Sequence, residues 1–192
     1  MAAAVAPPKE KSITGRELLA MGDIGPCELI DGRIIRMTPT GDEHGMIEFN
    51  LGSELRSFVR RHNLGRVTGG EVGIYIRRRP DTVRGADIVF ISSQRRPMPS
   101  KGFLDVAPEL VVEIMSPDDR WPAMREKLAD YFSIGVERVW VVEPRNRTVL
   151  VFSSTTDMEE LDENDVLRGE GALEGFAMQV AELFAGCAHA SE

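Results

Sequence analysis

Apolar residues recur along the chain in two periods, and the switches between them mark out the elements. Leu18, Leu19 and Met21 follow Thr14 and Glu17, the spacing of a capped helix start, which predicts a short helix from Thr14 to Met21. Glu28-Leu29-Ile30 and Arg33-Ile34-Ile35 flank Asp31-Gly32. That dipeptide accepts the positive φ of a two-residue turn, so the segment reads as a β-hairpin. Thr40 and Glu43 repeat the capping spacing ahead of Ile47, Leu51, Leu55, Phe58 and Val59, an apolar stripe at helical period that stops near Asn63-Leu64-Gly65.

Strands follow at Glu71 to Ile76, Ala86 to Ile91 and Leu110 to Met115. The last two are almost continuously apolar, as strands covered on both faces are. Pro117 and Pro122 open a helix with Met124, Leu128, Tyr131 and Phe132 on one face, which ends at Gly135. Val139 to Val142 is a further strand, and Pro144-Arg145-Asn146-Arg147 turns the chain into an antiparallel neighbour at Thr148 to Phe152. The acidic stretch Asp157 to Asp165 reads as an exposed loop, and Val180, Leu183 and Phe184 as a short closing helix. The order helix, strands, helix, strand predicts the α/β class: a mixed sheet flanked by helices, with an N-terminal hairpin as an extension.

Length adds the expectation of one domain at residues 13–187, because 192 residues with 42% hydrophobic content suffice for one core. Residues 1–12, rich in Ala and Pro, read as a disordered tail, neither signal peptide nor membrane anchor. Cys27 and Cys187 lack the paired spacing of a zinc site, and a reducing, cytoplasmic setting is the simplest expectation. A net charge of −8 argues against a uniformly nucleic-acid-binding surface. The charge is unevenly spread: Leu55 to Lys101 holds eleven basic residues against Glu71, Asp81 and Asp87, whereas Ser153 to Glu192 holds ten acidic residues and Arg168. A basic face on an acidic protein is therefore compatible with the sequence.

Two acids interrupt the apolar strands: Asp87 within Ala86-Asp87-Ile88-Val89 and Glu113 within Val111-Val112-Glu113-Ile114. A buried carboxylate without a partner costs several kcal/mol, so each must be paired, protonated, bound to a cation or placed at an open strand end. On neighbouring strands the two would present oxygens to a hard cation such as Mg²⁺; ordinary ion pairs with nearby arginines satisfy the same pattern. Lys127, fourteen residues after Glu113, lies at the edge of the Met124-Leu128-Tyr131 face, within reach of the sheet if it does not snorkel outward.

Several of these segments occur together in one known arrangement. Glu28-Leu29-Ile30-Asp31-Gly32, Pro39-Thr40-Gly41 with His44, Ala86-Asp87, and Val111-Val112-Glu113-Ile114-Met115-Ser116-Pro117 stand in order, followed by Glu126-Lys127-Leu128, Tyr131, Gly135-Val136 and Val139-Trp140-Val141-Val142. From about Thr14 to Phe184 the chain resembles the Uma-type restriction endonuclease family, itself similar to the PD-(D/E)XK nucleases, whose core runs helix, three strands, helix, strand. The resemblance implies that Asp87 is the aspartate of the first motif and Glu113 the acid of the second. Two positions depart from the pattern: Ala86 stands where the motif has proline, and Met115 where it has lysine. The resemblance further implies that the lysine role falls to Lys127 on the following helix.

The implied activity is endonucleolytic hydrolysis of DNA, with Mg²⁺ or Mn²⁺ held by Asp87, Glu113 and the Ile114 carbonyl, and Lys127 orienting water or stabilising the transition state. Glu71, His44 and Glu28 are further candidates, although an ordinary strand acid or a helix-start histidine that packs or caps is the commoner outcome at such positions. Arg77, Arg78 and Arg79 suit a nucleic-acid backbone or plain solvation, whereas Trp121 and Trp140 read as packing residues. An alternative is a catalytically silent member of the fold that binds nucleic acid or a protein. A third reading is an assembly protein, with edge strands and an apolar tail patch forming a homodimer.

Overall fold

Residues 12–187 are described by a computed structural model; the expected tail at 1–12 lies, apart from Ser12, outside the described residues. The chain runs α1 (Gly15–Ala20), β1 (Cys27–Ile30), β2 (Arg33–Arg36), α2 (Asp42–Arg61), β3 (Gly65–Arg77), β4 (Thr82–Ser92), β5 (Leu110–Ile114), α3 (Trp121–Ser133), β6 (Arg138–Glu143), β7 (Thr148–Phe152), β8 (Met158–Leu161), β9 (Val166–Arg168), β10 (Ala177–Gln179) and α4 (Val180–Leu183). β4 is buried along its whole length and forms the spine of an eight-stranded sheet ordered β2-β1-β4-β5-β6-β7-β8, with β3 also paired to β4. Among the strands of the described residues, β5 and β6 are the one parallel pair, and α3 makes the crossover between them.

The sheet lies between two apolar layers. Ile47, Leu51, Leu55 and Val59 of α2 pack with Ile88, Phe90, Val112, Trp140 and Phe184 on one face. Met124, Leu128 and Tyr131 of α3 cover Val89, Ile91, Val111, Val139 and Val141 on the other. Trp140 is 2% exposed and stacks on Phe176 at 6.0 Å between ring centroids, so it is a packing residue as its strand context predicts. In the first hairpin, Asp31 and Gly32 both adopt positive φ, 51° and 74°, the two-residue turn their identities call for. Thr14 and Glu17 cap α1 reciprocally, also as expected.

Three expectations are corrected. The N-cap of α2 is Gly41, not Thr40, and makes no side-chain cap bond; Asp42 and Glu43 lie in the first turn, where negative charge suits the helix dipole. The strand expected at Glu71 is the second half of a longer one, because β3 begins at Gly65 and passes through a bulge between Gly69 and Val72. The acidic stretch expected as a loop contains β8, an edge strand with only Leu161 buried; Glu159 and Glu160 leave it no apolar alternation to read and keep the edge charged. Val180 and Leu183 lie in the short closing helix α4 and, with Phe184, are buried against the α2 layer.

Candidate active site

The β4–β5 register pairs Phe90 with Leu110, Val89 with Val111 and Ile88 with Val112. The next positions along it are Asp87 and Glu113. There a side chain replaces the ladder: the Ile114 N–H donates to Asp87 Oδ2 at 2.6 Å. The same oxygen lies 3.4 Å from His44 Nε2, which the first turn of α2 buries beside it. Glu48, one turn further along α2, accepts from the Gly70 N–H in the β3 bulge at 2.8 Å. His44, Glu48 and Asp87 each offer one ligand atom within 4.8 Å of the others, and His44 Nδ1 is buried without a hydrogen-bond partner.

Glu113 is gripped by α3. Its Oε2 accepts from Lys127 Nζ at 2.8 Å and its Oε1 from the Tyr131 hydroxyl at 2.5 Å. Lys127 Nζ also donates to the Gly85 carbonyl at 3.2 Å and stands 3.5 Å from Glu28 Oε1. Glu28, in β1, is 5% exposed; it accepts from the Gly85 N–H at 3.0 Å and from Arg84 at 2.9 Å, while Arg84 Nε donates to Asp130 of α3 at 2.7 Å. Glu71 sits in the bulge at φ 57°, and its carboxylate hangs over Gly85: a Cβ there would lie 2.6 Å from Glu71 Oε2. Gly85 thus leaves room for a carboxylate that any side chain would displace.

The electrostatics follow from burial and from the surplus of acids. Burial pushes the Glu113 carboxyl up to about 7, against the pull of Lys127, and the negative charge of Asp87 adds to it. Burial, then Asp87, likewise raises Glu71. Burial opposes the charged forms of His44 and Lys127, but neighbouring carboxylates outweigh it: Asp87 raises the imidazole, and Glu113 with Glu28 raises the ammonium. Carboxylates crowded together and buried, beside an imidazole with a free buried nitrogen, make a donor set suited to a divalent cation.

All six residues singled out from the sequence, Glu28, His44, Glu71, Asp87, Glu113 and Lys127, join this one network. Within it, Asp87 faces His44 and Glu48, and Glu113 faces Lys127 and Tyr131. Glu48, Tyr131, Arg84 and Asp130 were not anticipated as members. The first two carried a signal, since Glu48 stands four residues after His44 and Tyr131 four after Lys127, each pair on one helical face. Of the three arginines, Arg77 pairs with Asp31 and reaches the edge of the network at Asp130, 3.8 Å away, whereas Arg78 lies over the Tyr75 ring and pairs with Asp81.

No curated protein matches the chain. Among solved structures, it is similar to a protein of Anabaena variabilis titled "putative nuclease belonging to DUF820", with a TM-score of 0.77, 22% identity, and 90% of this chain and 98% of that one covered. At that identity the likeness concerns the fold. A family model described as "Putative restriction endonuclease" matches residues 16–181, a span that takes in every member of the network but none of the tail. By that match, the chain belongs to the Uma2 family.

Proposed function

We propose that the chain is a metal-dependent nuclease that hydrolyses phosphodiester bonds in DNA. The observation that carries this reading is Lys127 Nζ at 2.8 Å from the buried Glu113 carboxylate, beside Asp87, at the point where a carboxylate replaces the β4–β5 ladder. Asp87 and Glu113 are the residues that would hold Mg²⁺ or Mn²⁺, with the Ile114 carbonyl as a further oxygen; His44 and Glu48 offer ligand atoms within 4.8 Å of that of Asp87. When bound, the ion supplies charge neutralisation at the scissile phosphate and a water of lowered pKa. The chain's own groups do the positioning. Lys127, held protonated by Glu113 and Glu28, sets a positive charge where a phosphoryl oxygen gains negative charge. Tyr131 fixes the Glu113 carboxylate in one orientation, and the Ile114 N–H and His44 fix that of Asp87.

Cleavage of plasmid and linear DNA in Mg²⁺ or Mn²⁺, against an EDTA control, tests the proposal. Asp87→Asn, Glu113→Gln and Lys127→Met should each lower the rate at least roughly 100-fold, the order of effect of an electrostatic group in a preorganised site. Absence of metal-dependent cleavage in the wild type, or variants that cut as it does, would overturn the proposal and leave a silent binding module.

A further inference from the structure

Next to the site the surface folds into a groove of about 910 Å³, walled by α2 and the first half of β3. Three of its residues have no side chain to fill it, Gly45, Gly52 and Gly69; on its α2 wall stand Phe49, Arg56 and Arg60. Phe49 is 75% exposed, an unusual position for a ring on a helix whose other apolar residues are mostly buried. Arg56, Arg60 and the neighbouring Arg61 are exposed, and among the described residues none is paired with a carboxylate. Free guanidinium groups on a chain of net charge −8 mark a place where positive charge has been concentrated. One end of the groove is Glu48, the residue that reaches His44 and Asp87.

We infer that this groove binds a single strand of DNA and leads it to the site, with Phe49 stacking on an unpaired base and Arg56, Arg60 and Arg61 on the phosphates. The inference rests on the nuclease reading and narrows its substrate to unpaired strands, such as flaps, gaps and frayed ends. Its argument is shape and chemistry together. Duplex DNA is read by protein elements that project into its grooves, whereas here the protein is concave and the aromatic face lies open within the hollow. An exposed ring set among unpaired cations is the combination that holds single strands without regard to sequence: the ring takes any base and the cations track the backbone.

Binding without chemistry separates this inference from the reading it rests on. Fluorescence anisotropy in EDTA, with a labelled thymidine oligonucleotide of about 12 nucleotides and a duplex of the same length, should show the single strand bound more tightly. Phe49→Ala should weaken single-strand binding about 10-fold, the loss of one stacked base. The double variant Arg56→Ala/Arg60→Ala should lower the slope of log affinity for the single strand against log salt by about 1.4. All three positions are exposed or bordering solvent, and a circular dichroism spectrum matching the wild type accompanies each measurement. Tighter duplex binding, or groove variants that bind like the wild type, overturns the inference even if the protein cuts DNA. Groove-dependent single-strand binding without metal-dependent cleavage upholds it and removes the nuclease reading alone.

Discussion

At the residue scale the balance at Glu113 is set by burial against two donors. Its carboxyl titrates near 7 in the folded chain and at the ordinary 4.5 when unfolded, so between those values the folded chain keeps a proton that the unfolded chain has released. The stability this proton contributes is complete below about 4.5 and is lost as pH rises through about 7. His44 is raised as well and acts in the same direction, its contribution complete below its ordinary value and fading above it. The metal-free protein should therefore lose melting temperature between about pH 5 and about pH 8, and Glu113→Gln, which cannot titrate, should flatten that decline. Differential scanning calorimetry in EDTA decides the point; equal slopes in the two proteins would mean that Glu113 does not titrate in this window. Tyr131→Phe tests the other grip. It leaves the ring in the core but removes the 2.5 Å bond to a buried carboxylate, which should cost about 1–3 kcal/mol in chemical denaturation.

At the element scale, legibility follows how local the cause is. The Asp31-Gly32 hairpin, the capping box of α1, the α2 stripe and the two apolar central strands were readable, because each depends on residues close in sequence. Asp87 and Glu113 were readable for the opposite reason, as charges standing where the pattern called for apolar side chains. What escaped depends on contacts between distant segments. The bulge in β3 interrupts its alternation and turns Glu71 over Gly85, eating up the period that would have revealed the strand's first half. Glu48 looks like any solvated helix acid until the bulge offers it the Gly70 N–H. Gly73 is the sharpest case: a Cβ there would lie 2.2 Å from the Phe103 ring, and beside it Tyr75 N–H donates to the Leu104 carbonyl, so the segment around Phe103 closes the free edge of β3. Gly73→Ala should push that ring away and cost about 1–3 kcal/mol, a loss of roughly 2–12 °C in melting temperature for a chain of this size. An unchanged melting curve would show that the segment yields without cost.

At the scale of the whole molecule, a site rich in acids sets stability against function. Glu28, Glu71, Asp87 and Glu113 come from four strands of one sheet, and among the described residues the basic groups that answer them are Arg84, half-buried Lys127 and the His44 imidazole, with Arg84 shared with Asp130. The fold thus brings together more negative charge than it neutralises, and the charge of Asp87 adds to the burial that raises Glu113 and Glu71. A divalent cation binding the folded chain and not the unfolded one adds RT ln(1 + [M]/Kd), about 2.7 kcal/mol at 100-fold excess over Kd. For a chain of this length that is an increase of roughly 5–10 °C in melting temperature. The increment should grow as pH rises through about 7, because the ion must displace the Glu113 proton, and it should vanish in Asp87→Asn. Metal titrations followed by thermal melting at two pH values carry the test: an increment that is independent of pH, or that survives Asp87→Asn, would locate the cation somewhere other than between α2, β4 and β5.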